Sequence, residues 1–185
     1  MRSDARANRS AVVAAARKLV ATDGADVPLT TIADEAGVGI ATLYRNFPTR
    51  EELFVAVVLD GRDRVHALVD EHRPRVVADA ATGWSPFVRA LAELRLGALL
   101  PELAGFLCTA PRSSELVQMR EEALAAVESV LDVVRRAGVV GEDVTAVRFV
   151  VGLGMVTRSL PAGAPFDAVG QHEWMIEVYL RGLRP

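Results

Sequence analysis

The chain has 185 residues, 51% of them hydrophobic and 24% charged, with a formal net charge of −3, the profile of a globular protein that buries one large core or two modest ones. Its longest uninterrupted apolar run, FVVGLGMV from Phe149 to Val156, falls far short of the roughly 20 residues that span a bilayer. A single cysteine, Cys108, rules out an intrachain disulfide and any multi-cysteine metal site. Near the N-terminus, Arg17 and Lys18 interrupt AVVAAARKLVA, so no signal-peptide core is read there, and a cytoplasmic protein without a membrane partner is expected. Charge is uneven: residues 1–50 carry seven basic and five acidic side chains, residues 51–185 carry 14 and 19. The positive end is the N-terminal one.

In chain order, Val12, Val13, Ala16, Leu19 and Val20 recur at helical spacing between Asn8 and Thr22, and Gly24 stands where a helix stops. DVPLTTIADEAGVG then supplies Pro28 as a starter and Thr30 or Thr31 as a cap, with Leu29, Ile32, Ala33 and Ala36 as an inward face ended by Gly37. A third short helix runs from Ile40 to about Asn46, where Pro48 forbids its continuation. TREE, Thr49 to Glu52, reads as a capping box. It opens a long fourth helix with Leu53, Phe54, Val57, Val58, Val65 and Leu68 inward, ending near Pro74.

Beyond it the pattern stays helical. Ser85 and Pro86 read as cap and first residue of a helix with Phe87, Leu91, Leu94 and Leu99 inward and a break at Pro101. SSELVQMREEALAAVESVLDVVRRAG is amphipathic from about Glu115 to Ala137, and GEDVTAVRFVVGLGMVTRSLPAG and DAVGQHEWMIEVYLRGLRP read as two last helices. No strand-like alternation and no repeat competes, so the fold class is all-α.

The second and third helices are too short to be stable alone, so they are held by packing. Ala33 permits close approach, Gly37 turns the chain, and Val38, Leu43 and Phe47 point inward. Gly39, Ile40, Thr42, Tyr44, Arg45 and Asn46 are left outward. A two-turn helix presented through a glycine turn has the dimensions of a major-groove reader, and its hydroxyl, guanidinium and amide groups suit phosphates and base edges.

LTTIADEAGVGIATLYRNFPTREELFVAV, Leu29 to Val57, resembles the helix-turn-helix of the tetracycline-repressor (TetR) family, with its Ile-Ala, Ala-Gly-Val, Thr-Leu-Tyr, Phe and Arg-Glu-Glu-Leu in register. The resemblance covers roughly the first 60 residues. It implies a three-helix DNA-binding domain over residues 1–60, with the motif at about 28–47, joined to a helical-bundle effector and dimerisation domain over residues 61–185. It implies further that Tyr44 and Thr42 contact the DNA backbone, that Arg45 faces base edges, that Gly39, Ile40 and Ala41 enter the groove first, and that Arg50 anchors a phosphate. Gly39 stands where serine is common in the family, Asn46 where tyrosine or histidine is common, and Pro28 where a capping threonine is common; Thr30 or Thr31 then supplies the DNA phosphate contact expected from those side chains. Arg2, Arg6 and Arg9 are read as an N-terminal arm over the backbone or minor groove, a salt-sensitive aid.

The resemblance also implies a ligand cavity in the C-terminal helices. The bulky candidates are Trp84, Phe87, Leu91, Leu94, Phe106, Leu107, Met119, Phe149 and Met155, which favour an apolar or aromatic effector, although such residues at helical spacing also read as plain core. A two-fold dimer is implied through the last two helices, using Val150, Val151, Gly154, Met155, Trp174, Val178 and Tyr179. Gly152 and Gly154, in VVGLGMV, lack the strand and third glycine of a nucleotide loop and read as positions of close helix packing. His66, His72 and His172 have no metal-ligand spacing, and no nucleophile elbow, Ser-His-Asp order or phosphate loop is present. No catalytic residue, metal or cofactor is expected.

The expectation is therefore a ligand-responsive repressor that binds a palindromic double-stranded operator as a homodimer and is released by a small effector. The alternatives are an effector-independent helix-turn-helix activator or architectural DNA-binding protein, and an all-α enzyme or adaptor whose first helices only resemble the motif.

Overall fold

In a computed structural model of the chain the described residues are 2–97, 99, 103, 113–158 and 170–185. They are helical with no strand among them. They fall into two compact units, residues 1–61 with 99–116 and residues 62–98 with 117–185. No helix among them is long and apolar enough to cross a membrane.

The first unit opens with α1 (Arg2–Asp23), α2 (Leu29–Glu35) and α3 (Ile40–Asn46), which pack on one another. Val12, Ala16 and Val20, four residues apart, are buried along one side of α1. Ile32 and Ala33 of α2, Leu43 of α3 and the following Phe47 are also buried, and burying side chains of the Leu or Phe class contributes about 1.5 to 3 kcal/mol each. That contribution holds two seven-residue helices that would be marginal alone. The expected threonine cap is not formed: Pro28 stands at the start of α2 without a side-chain cap bond, and Thr30 and Thr31 lie within the helix, exposed. The C-terminal end of α2 is closed by the backbone instead. Gly37 adopts a left-handed φ of +66°, which lets its N–H reach the Asp34 carbonyl at 3.1 Å and the Val38 N–H reach the Ala33 carbonyl at 3.0 Å. This turn aims α3.

Helix α4 (Arg50–Ala78) starts in the first unit and ends in the second. The Thr49 hydroxyl accepts the Glu52 amide at 3.2 Å, as the capping sequence predicts. Pro74, however, does not end the helix. Asp70, Glu71, Pro74 and Arg75 are exposed while Val76 is fully buried, so the bond that Pro74 withholds lies on the solvent side and the burial of Val76 carries the last turn.

In the second unit, α5 (Ala80–Glu93) begins five residues before the expected Ser85. Asp79 caps it, accepting from the Ala81 and Thr82 amides at 3.0 and 3.3 Å; hydrogen bonds from Thr82 hold the Asp79 carboxyl below its ordinary range. Ser85 and Pro86 sit inside α5, where the Ser85 hydroxyl accepts from Arg89. Next come α6 (Ser113–Arg136), α7 (Ala146–Val156) and α8 (Gln171–Gly182). Thr145 caps α7 by accepting the Arg148 amide. Glu128 of α6 bridges Arg135 and accepts the Ala146 amide at 2.7 Å, while Arg135 donates to the Val144 carbonyl. One core cluster joins α4 to α8, with Val76, Phe87, Val130, Leu131, Val134 and Phe149 fully buried.

Candidate nucleic-acid interface

Helix α3 divides its residues by the period of 3.6. Leu43 and Phe47, one turn apart, are buried, whereas Ile40, Ala41, Tyr44 and Arg45 form one exposed face and Thr42 and Asn46 flank it half-buried. Gly39 precedes this face in extended conformation with open space where a side chain would be. The helix carries no acidic residue, and the acidic Glu35 at the end of α2 is paired with Lys18 at 2.5 Å. An aromatic hydroxyl and a guanidinium thus stand on an exposed helix face that carries no carboxylate of its own, which suits a polyanion.

The side chains on this face are partly tied to their own helix. Arg45 donates from Nη2 to the Thr42 hydroxyl at 2.8 Å, one of five donors that a guanidinium offers. Asn46 donates from Nδ2 to the Thr42 carbonyl at 2.8 Å, so its amide folds back along the helix and is not held out toward a groove. Arg50, expected to anchor a phosphate, also engages its own chain: its Nη1 donates to the Ala25 carbonyl at 2.6 Å and its guanidinium stands 5.6 Å from the Phe54 ring centroid. The segment expected as an N-terminal arm is helical from Arg2. Arg6 is exposed on that helix. Arg9 donates from Nη1 to the Asn46 carbonyl at 3.0 Å, with its guanidinium 4.2 Å from the Phe47 ring centroid.

Residues 12–57 match the family model described as bacterial regulatory proteins, tetR family. The chain is similar over 96% of its length, and 98% of the other, to a TetR transcriptional regulator from Streptomyces coelicolor, at 29% identity and a TM-score of 0.66. It is similar over 100% of its length to a TetR transcription regulatory protein from Mycobacterium vanbaalenii, covering 99% of that chain at 29% identity and a TM-score of 0.61. The matched segment is the helix-turn-helix portion of that family, and the whole chain has the fold of these regulators. A third TetR-fold structure, the ketosteroid transcriptional regulator KstR2 of Mycobacterium tuberculosis, shares the fold alone at 18% identity, with 96% of this chain and 95% of that one covered and a TM-score of 0.57. No curated protein matches the chain.

That match and the likeness to these two regulators mark the chain as a helix-turn-helix DNA-binding transcription regulator. Among the residues expected to line an effector cavity, Trp84, Phe87, Leu91, Leu94 and Phe149 join the single core cluster of the second unit, with the Trp84 and Phe149 ring centroids 5.1 Å apart. Met119 is buried. Phe106 and Leu107 lie outside the described residues. Met155 is 76% exposed, so it stands on the surface of α7 and not in that core.

The residues expected at a dimer interface separate in the same way. Val151, Met155, Trp174 and Val178 are exposed, and so is Val147, which was not among the expected residues. Val147, Val151 and Met155 are spaced four apart on one face of α7. Val150, one residue and about 100° from Val151, packs against the core. Gly154 lies against the backbone of Gly97. Tyr179 donates its hydroxyl to the Phe149 carbonyl at 2.6 Å, and its ring occupies the space that a side chain at Gly152 would need. Helical period was the signal that separates Val150 from Val151. Gly154 bears out its reading as a position of close helix packing, whereas nothing in the local sequence marks Tyr179 as engaged within the chain.

Proposed function

We propose that this chain is a ligand-responsive repressor that binds a palindromic operator as a homodimer and is released by a small apolar or aromatic effector. The observation that carries the DNA-reading half is the exposed face Ile40, Ala41, Tyr44 and Arg45 on a helix whose opposite side, Leu43 and Phe47, is fully buried. In this reading the first 60 residues read DNA and the remainder senses and dimerises, in the cytoplasm. Tyr44 and Thr42 reach phosphates, Arg45 exchanges its bond to Thr42 for a base edge, and Gly39 with Ile40 and Ala41 allows close approach.

The apolar strip Val147, Val151, Met155, Trp174 and Val178 on α7 and α8 supports the dimer, since contiguous exposed apolar side chains mark association surfaces. A two-fold pair sets two copies of α3 on half-sites related by the same symmetry. The aromatic cluster of Trp84, Phe87 and Phe149 supports an apolar effector. The buried Trp84 indole N–H has no acceptor among the described residues, a costly state that an oxygen on such an effector relieves. Release then follows from population shift: the effector prefers a state with poor operator affinity and lowers binding by its differential affinity for the two states. Helix α4, which begins in one unit and ends in the other, is the connecting lever.

The test is selection from random duplex DNA with the purified chain and with Arg45→Ala, each at two salt concentrations. Enrichment of a palindrome by the wild type, with recognition relaxed at one position and binding weakened by about 1 to 3 kcal/mol in the variant, is the expected result. Absence of enrichment at either salt, from protein shown to be free of bound ligand, would sink the reading.

A further inference from the structure

A charged side chain from another helix meets the end of α3. Asn46 is the last residue of α3, and Phe47 leaves the helix at φ −142° and ψ 86°. The carbonyls of a last helical turn lack partners within the helix. Pro48 aggravates this, because it has no N–H to offer. Arg9, from the second turn of α1, supplies the missing donor: Nη1 meets the Asn46 carbonyl at 3.0 Å. The same guanidinium lies 4.2 Å from the centroid of the fully buried Phe47 ring. One cation thus completes the negative end of the helix and covers the aromatic residue that anchors it.

We propose that Arg9 is a positioning residue for DNA reading: it clasps the C-terminal end of α3 and fixes the direction in which Tyr44 and Arg45 are presented, without itself neutralising a phosphate. The inference rests on the proposed reading of DNA by α3 and deepens it. A free guanidinium near a duplex would add to affinity through counterion release, whereas one already bound to a carbonyl and stacked on a ring acts through geometry. Lysine does not replace it, because a compact ammonium has neither the planar fork nor the flat face that serves a carbonyl and a ring together.

The experiment uses the full chain with Arg9→Gln and Arg9→Lys, and has one arm without DNA. In free protein, amide hydrogen exchange at Asn46 and Phe47 rises roughly five- to tenfold in Arg9→Gln, the joint weight of a helix-end cation and an exposed cation–aromatic contact, while exchange at Ile32 in α2 stays unchanged. On the duplex enriched by the wild type, dissociation constants rise by a similar factor in both variants. Base preference relaxes at the positions that Arg45→Ala also relaxes, and the slope of log affinity against log salt keeps its wild-type value. A slope flatter by about 0.9 in Arg9→Gln, the mark of one lost phosphate contact, with affinity restored by Arg9→Lys, overturns the proposal. Unchanged exchange at Asn46 and Phe47 overturns it as well. Should no duplex be enriched by the wild type, the DNA-reading function fails by that result alone, and the exchange measurement still decides the clasp.

Discussion

The backbones of Gly97 and Gly154 run against each other: a Cβ added at Gly97 would stand 1.9 Å from the Gly154 carbonyl oxygen and 2.3 Å from its Cα. Backbone cannot rotate away as a side-chain tip does, so α7 itself has to shift. Gly97→Ala is expected to lower stability by about 1 to 3 kcal/mol, the usual cost of overpacking, seen as a drop in thermal midpoint of roughly 2 to 4 °C per kcal/mol. Gly154→Ala is expected to be milder, because its Cβ would meet Gly97 Cα at 3.1 Å. Equal midpoints for Gly97→Ala and wild type would contradict this packing.

The two glycines around Val38 behave differently although they look alike in sequence. Gly37 holds a left-handed φ of +66°, which costs an L-residue roughly 1 to 2 kcal/mol. Gly39 has φ −67° and ψ 146° with nothing within 4 Å of its Cβ direction. Gly37→Ala is therefore expected to shift the denaturant midpoint downward, whereas Gly39→Ser leaves it within about 0.5 kcal/mol of wild type. Parallel urea titrations of the two variants check this.

Tyr179 gives a pH dependence with a defined sign. Burial, partly opposed by the Leu153 backbone, pushes its hydroxyl up to about 12 from 10.0. The unfolded chain releases this proton first, so the neutral hydroxyl's contribution is complete below pH 10 and is lost as pH rises toward 12. At 1.4 kcal/mol per pH unit the full difference is about 3 kcal/mol, and solvent screening of this partly exposed group reduces it to about 2 kcal/mol or less. Denaturant midpoints measured between these limits fall more steeply for wild type than for Tyr179→Phe; identical alkaline slopes would show that the hydroxyl is not held as described.

The apolar strip on α7 and α8 predicts a selective effect on assembly. Val151→Asp changes an exposed side chain, 57% accessible in the single chain, so folding is expected to survive. Dimer dissociation is expected to become at least tenfold easier, from the loss of about 1.5 to 3 kcal/mol of apolar burial per copy and the desolvation of a charge. Val117→Asp, at a similarly exposed valine on α6, leaves the assembly unchanged. Sedimentation velocity across a dilution series separates the two outcomes.

Helix positions and the surface face of α3 were legible because they depend on near neighbours. Spacing alone sets Leu43 and Phe47 on the side opposite Tyr44 and Arg45, and Gly37 with Pro48 delimits the element. Where two local signals competed, tertiary burial chose. Both Asp79 and Ser85 can cap a helix, and Pro74 reads as a stop. Yet Asp79 became the cap and α4 ran on to Ala78, with Val76 fully buried just before the junction.

The destinations of the arginines belong to the tertiary structure entirely. Sequence could mark Arg9 and Arg50 as cations near a DNA-reading motif, since charge is a property of the residue. It could not show that Arg9 would meet a carbonyl 37 positions away or that Arg50 would meet one 25 positions away, because a backbone carbonyl carries no residue identity and is the same at every position. The sequence by itself determined an all-helical chain, its glycine turn and the polar face of α3, through period and local backbone preference. Which of its polar groups remain free for a partner was decided only when distant segments packed and used up the rest.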